Sequence, residues 1–360
     1  MKESVIERNK RLEVDKKIAD FMVKQRQPYA FKRRYAEIRA WEFANECEKR
    51  GLDYHVSVGG LDSITLLVFL RSIGIDCPAV SVSSLEDKSI QDLHRALGVE
   101  SLKPLRSKVD VIREYGYPVL SKEIANKIML LQNPSEKNAT VRHAIITGET
   151  GEYGGNRTGT RMQLPMKWLR LFGGADPEGA ALGYKAAPFK VSDRCCYYLK
   201  EKPCDDWAKQ HNSVPFLGLM ASEGGRREKA LMMHGCNYFG ESTIRSCPFA
   251  IFDRQDILKL AVELGVPVPE IYGKIVREPS GALRTTKAQR TGCSMCGFGI
   301  HLDKRPHTFD LLYDRNPKEW EFWMNRLGWG EVLDYIGVEW RQDGRQMDLF
   351  DIVDEAACPV

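Results

Sequence analysis

Residues 54–70 read YHVSVGGLDSITLLVFL: a short apolar strand, two glycines, then a helical run. No other feature restricts the fold as much, because a strand feeding a helix through a tight turn is the first half of a crossover unit. The pattern recurs. PAVSVSS (78–84) reads as a strand, SIQDLHRALG (89–98) as a helix, VPFLGLM (214–220) as a strand and QDILKLAVELG (255–265) as a helix. Strands alternating with helices imply an α/β fold: a parallel twisted sheet with helices on both faces.

Around this nucleus the 360 residues suggest further parts. Residues 1–50 read as a helical arm, broken at Gln27-Pro28, with Ile18, Phe21, Met22 and then Ile38, Trp41, Ala44 at helical spacing. This arm carries 14 Lys and Arg against 9 Asp and Glu, whereas the whole chain is only +4. Such a basic arm could meet the phosphates of a nucleic acid, although for any one of these charges a solvated helix face is the better reading. Residues 51–275 are expected to form the main domain, with a glycine-rich basic insertion at 149–183 read as a lid or a surface loop. Residues 276–360 form a helical, aromatic-rich C-terminal region with an acidic tail. No run approaches the ~18 apolar residues of a membrane span, and the charged start does not resemble a signal peptide. The expectation is a cytoplasmic protein with no membrane partner.

The turn at Gly59-Gly60 has chemical meaning. A strand that ends in glycines and enters a helix offers bare backbone N–H groups and the positive end of a helix to an anion. The spacing fits neither the Walker loop nor the dinucleotide fingerprint. It resembles the SGGxDS pyrophosphate loop of the adenine-nucleotide alpha-hydrolase superfamily. Two positions depart from that pattern: Val58 replaces the usual Ser, and Leu61 stands where Lys is frequent. Ser57 is the adjacent hydroxyl, on the opposite side of the strand. Gly60 is expected to keep the backbone open to phosphate, so that Gly60→Val abolishes binding.

Ten cysteines in a chain of this kind point to metal or redox chemistry. Cys195 and Cys196 are adjacent, in KVSDRCCYYLKEKP, and Cys293 and Cys296 form the pair of RTGCSMCGFGIHL. Four thiolates suffice for zinc or for an iron–sulfur cluster. Adjacent cysteines suit the separate iron corners of a [4Fe–4S] cluster better than one tetrahedral zinc. The two motifs together resemble the cluster motif of assimilatory adenylyl-sulfate reductases and of phosphoadenosine phosphosulfate (PAPS) reductase-domain proteins. The likeness extends over most of residues 30–340.

That resemblance implies an adenine nucleotide, ATP or PAPS, with Mg2+ accompanying ATP. Gly59, Gly60, Asp62 and Ser63 would hold phosphate or sulfate oxygens, with Ser57 beside them. Glu86 falls on a loop at the carboxyl end of the second strand, where nucleotide sites form. Glu223 and Arg227 match the family's Glu–Arg pair. Arg227 could clamp a phosphate or simply form a salt bridge with Glu223. Lys200 would place positive charge between cluster and substrate. Asp62, Lys200 and Arg227 are the candidate catalytic residues.

The family's C-terminal ECGLH nucleophile motif is missing. Cys358 sits among small residues and acids, and acidic neighbours raise a thiol's pKa, while Cys236 and Cys247 are spare candidates for handling sulfur. Three functions follow. One is reduction of a sulfonucleotide by an external thiol or electron-donor protein. The second is ATP-dependent adenylation and thiolation of a nucleic acid. The third is nucleotide binding without turnover.

Overall fold

The computed structural model describes residues 5–342. The chain divides into two compact units, each built from two stretches: residues 1–106 with 197–294, and residues 107–196 with 295–360. The consecutive spans expected from the sequence therefore meet a discontinuous arrangement.

The first unit opens with helices α1 (Val5–Gln25) and α2 (Tyr29–Arg50), separated at Pro28 as expected. Strand β1 (Asp53–Ser57) leads into α3 (Leu61–Ser72), then β2 (Ala79–Ser81), α4 (Lys88–Ala96) and β3 (Glu100–Ser101). Strand β4 (Val119–Leu120) belongs to the second unit. The chain returns with β5 (Ser213–Leu217), β6 (Asn237–Phe239) and β7 (Ile244–Ser246), the helix Arg254–Glu263, and the hairpin β8 (Ile275–Arg277) and β9 (Leu283–Thr285). Six strands form one sheet in the order β3-β2-β1-β5-β7-β6. All neighbours run parallel except β6, which pairs antiparallel to β7 at the edge. This is a mixed α/β fold, a mostly parallel central sheet flanked by helices. Its core takes Val56, Ile64, Leu67, Phe69 and Phe216. Strand order reverses between β1 and β5, and a crevice at their carboxyl ends is where such sheets place ligands.

The basic arm is not a free-standing element. Helix α2 buries Ala36, Ala40, Phe43, Ala44 and Cys47 in the same core. The face expected from spacing is rotated: Ile38 and Trp41 are exposed, since small alanines allow the closest approach to the sheet. Much of the arm's charge is paired. Lys32 lies 2.7 Å from Asp256 in a buried pair, Arg33 4.0 Å from Glu263, Arg34 2.6 Å from Glu37 and Arg39 2.8 Å from Glu42.

In the second unit β4 pairs parallel with β10 (Gly297–Phe298). Its core is rich in aromatics, with Phe172, Phe309, Trp323 and Trp329 buried. Part of the glycine-rich segment contributes to that core. Leu164, Trp168, Leu169 and Phe172 are buried, and the helix Met166–Phe172 anchors them. The lid reading does not hold for that half, because a segment fixed by buried aromatics is not one that swings open. Among the described residues, no helix is long and apolar enough to cross a membrane.

Candidate nucleotide site

The loop after β1 carries the expected residues and is held by partners the sequence does not single out. Val58 is buried, and its N–H donates to the carbonyl of Val80 at 2.8 Å. An apolar side chain thus continues the core where the SGGxDS pattern has serine. Gly60 stands at the N-cap of α3 in extended conformation, φ −81°. The Gly59 N–H donates to Ser63 Oγ at 2.7 Å, and that hydroxyl donates to the Gly60 carbonyl at 3.0 Å. The loop is closed on itself through one serine.

Tyr272 caps the same helix end. Its hydroxyl accepts from the Leu61 N–H at 3.1 Å and lies 2.6 Å from Thr291 Oγ1. A Cβ on Gly60 would stand 2.3 Å from the Tyr272 hydroxyl oxygen and 2.9 Å from Thr291 Oγ1. Glycine is required here by the phenol alone, whatever else approaches the loop. At Gly59 a Cβ would meet only Ser63 Oγ and Glu86 Oε1, at 3.8 and 3.9 Å. At Gly218, just past β5, a Cβ would lie 3.0 Å from the Ser63 Cα, so β5 ends hard against the start of α3. With Leu61 capped and the Ile64 N–H bonded to the Gly60 carbonyl at 3.1 Å, the amides of Asp62 and Ser63 are the first-turn donors that an α-helix leaves without an internal partner.

Charges converge on this loop. Asp62 pairs with Arg254, which also donates to the Gln289 carbonyl at 3.1 Å. Burial raises the Asp62 carboxyl above its ordinary range, Arg254 opposes the rise, and the Glu223 charge adds to it. Glu223 accepts from the Met220 N–H at 3.3 Å and pairs with the exposed Arg227. The salt-bridge alternative for Arg227 is therefore the contact present. Lys200 Nζ lies 2.5 Å from the buried Glu86 Oε1. Burial alone would lower the Lys200 pKa, but the Cys293 and Glu86 charges outweigh it and leave it raised. The Ser57 hydroxyl is 3.5 Å from His55 Nε2.

Of the four candidate ligands, Cys293 belongs to the first unit and Cys195, Cys196 and Cys296 to the second. Cys195 is buried in the short helix Arg194–Cys196, while Cys196, Cys293 and Cys296 are half-buried. Met295, between the last two, adopts φ 70°, a left-handed conformation costly for a side chain of its kind. The donor chemistry suits a cluster, yet among the described residues no three or more His, Cys, Asp or Glu side chains are grouped so as to hold a metal ion. Cys236 and Cys247 lie deep in the first unit's core, where burial pushes their thiols up to about 12 and about 11. Neither is an activated nucleophile. Cys358 lies outside the described residues.

No protein-family model and no curated protein matches the chain. Among solved structures, PAPS reductase from Candida auris in a phosphate complex is similar at 11% identity and a TM-score of 0.31, over 61% of this chain and 75% of that one. NMN synthetase from Francisella tularensis is similar at 13% identity and a TM-score of 0.32, over 82% and 94%. Both likenesses are too distant to assign an activity.

The sequence reading does not single out His94, Tyr272, Thr291, Arg254 or Gly218. Only Gly218, a glycine immediately after an apolar strand, carried a local signal.

Proposed function

We propose that this chain is an enzyme that binds an adenine nucleotide at the carboxyl ends of β1 and β5 and carries out sulfonucleotide reduction. The observation that supports this most is the placement of Lys200. Its ammonium sits on Glu86, the residue of the nucleotide loop after β2, and is coupled to the Cys293 thiol. A fixed cation between an anion-binding loop and a cysteine suits a substrate whose sulfate becomes a leaving sulfite.

In that reaction two thiols of an external donor supply two electrons. The S–O bond to the phosphate breaks, sulfite and the nucleotide leave, and the donor becomes a disulfide with release of two protons. Arg254 and Arg227 are the cations available to orient the anionic tail, and Asp62 holds Arg254. No step here runs through a cluster. The same reading assigns Cys195, Cys196, Cys293 and Cys296 as thiolate ligands, so anaerobically purified protein would contain about four irons per chain. Stoichiometric zinc in colourless, active protein overturns that assignment.

A second reading, ATP-dependent adenylation with release of pyrophosphate, draws on the acids at the loop. Asp62 and Glu223 are close enough to raise the Asp62 pKa, as paired carboxylates that hold Mg2+ would be. Incubation with PAPS, adenylyl sulfate or ATP separates the two. Sulfite from a sulfonucleotide with a dithiol present is the expected result. Pyrophosphate from ATP with no sulfite from either sulfonucleotide would replace the first reading with the second.

A further inference from the structure

We infer that His94 is a positioning residue that sets the orientation of the Gly59–Gly60 peptide and so aims the Gly60 N–H at the bound anion. The inference rests on the nucleotide-site reading above and names a part of that site which the loop motif does not contain.

His94 is fully buried on α4, yet both its ring nitrogens are engaged. Nε2 lies 2.8 Å from the Gly59 carbonyl oxygen, and Nδ1 lies 2.9 Å from Ser83 Oγ. A carbonyl can only accept, so the proton sits on Nε2. Nδ1 then accepts from the Ser83 hydroxyl, which fixes the tautomer. Burial lowers the His94 pKa, although its bond to Gly59 and the Glu86 charge act the other way, and the ring is neutral. In the neutral ring Nδ1 accepts from Ser83, and the Nε2–H is left to hold the Gly59 carbonyl.

The consequence follows from peptide geometry. In a trans peptide the carbonyl of one residue and the N–H of the next point in opposite directions. Holding the Gly59 carbonyl against His94 turns the Gly60 N–H away from α4. Ser63 fixes the preceding N–H, that of Gly59. The two glycine peptides are thereby locked from both sides, and glycine's ordinary freedom to flip is removed. The same helix also steadies the other wall. Gln91 Nε2 donates to the Glu86 carbonyl at 2.9 Å, and the Glu86 N–H donates to the Ser83 carbonyl at 2.9 Å. One helix therefore holds both the phosphate loop and the turn that carries the partner of Lys200.

The test compares His94→Leu with His94→Gln, titrating each with inorganic pyrophosphate and with ATP by calorimetry after confirming the fold by thermal melting. Leu is expected to weaken binding about tenfold or more, the scale of one hydrogen bond to a charged group. Gln returns an N–H near the place of Nε2 and is expected to recover most of that loss. Wild-type affinity in His94→Leu overturns the inference. So does equal weakening in both variants, which would mean that His94 only fills space. Should His94→Leu not fold, nitrogen NMR of the wild-type ring decides: the proton is expected on Nε2, and a proton on Nδ1 overturns the assignment. If wild-type protein binds none of pyrophosphate, ATP and PAPS while the ring has its expected tautomer, the nucleotide-site reading fails, and the anion-aiming role fails with it.

Discussion

The loop after β1 and the turn after β5 stand at the carboxyl ends of strands paired residue for residue from Asp53–Ser213 to Ser57–Leu217. They hold their charged groups in opposite ways. The first is held by side chains from distant parts of the chain: His94 on its carbonyl, Tyr272 on its helix end and Arg254 on its carboxylate. The second has its backbone tied to the 250–252 turn, by the Ala221 N–H on the Ala250 carbonyl and the Ser222 hydroxyl on the Phe252 carbonyl. Its cation, however, rests on a local pair, Glu223 with Arg227, four residues apart and open to solvent on the arginine side. A cradle whose amides must meet an anion gains from being fixed before the ligand arrives. A cation at its rim gains from being able to move. The contrast separates a rigid part of the site from an adjustable one.

The strands beneath both features offer the largest effect. His55 on β1 is buried and bonded to Ser213 on β5 at 2.8 Å. Burial, aided by the His211 charge, lowers its pKa to about 4. The unfolded chain takes up this proton near pH 6.5, whereas the folded chain resists until about 4. The stability it contributes is therefore complete above pH 6.5 and lost as pH falls through that window, by at most about 3 kcal/mol. Urea unfolding of wild type and His55→Gln between pH 7 and 4 should give a flatter dependence in the variant. Equal slopes would remove His55 as the link.

Next comes the rigid loop. Gly60→Ala forces a methyl group into the Tyr272 hydroxyl and should cost about 1–3 kcal/mol, as overpacking does. Tyr272→Phe makes room, so the double variant should recover part of the loss, a coupling that a double-mutant cycle measures. Strict additivity would show that the phenol is not what excludes a side chain from position 60.

The smallest stability effect belongs to the adjustable turn. Arg227→Ala breaks an exposed pair and should change unfolding free energy by no more than about 0.5 kcal/mol. On the proposed function it still weakens sulfonucleotide affinity. Unfolding that costs several kcal/mol would place Arg227 with the rigid part.

Much of this was legible in the sequence, and the reason is range. The strand–glycine–helix at 54–70 declares itself through neighbours within a few residues, and so do the break at Pro28 and the helix ending before Gly265. The cap from Tyr272 could not be read, because 211 positions separate it from Leu61. His94 offered only an isolated histidine on an otherwise ordinary helix. The second unit is divided in the sequence among main domain, insertion and C-terminal region, since its core is assembled from aromatics such as Trp168 and Trp329 that no short pattern connects. Helix α2 shows the opposite failure. Its periodicity was clear, but the larger side chains misdirected the choice of face, which alanines decide.

The pairing of β1 with β5 has a consequence for how the chain is made. β1 finds β2 on one side soon after both leave the ribosome, but its other edge has no partner until Ser213–Leu217 has been translated. At ordinary elongation rates that interval is roughly ten to thirty seconds. Throughout it the central strand of the sheet is an open edge, the kind of surface that invites pairing with a neighbouring nascent chain. Slow synthesis between residues 107 and 212 should therefore favour aggregation more than slow synthesis after residue 217.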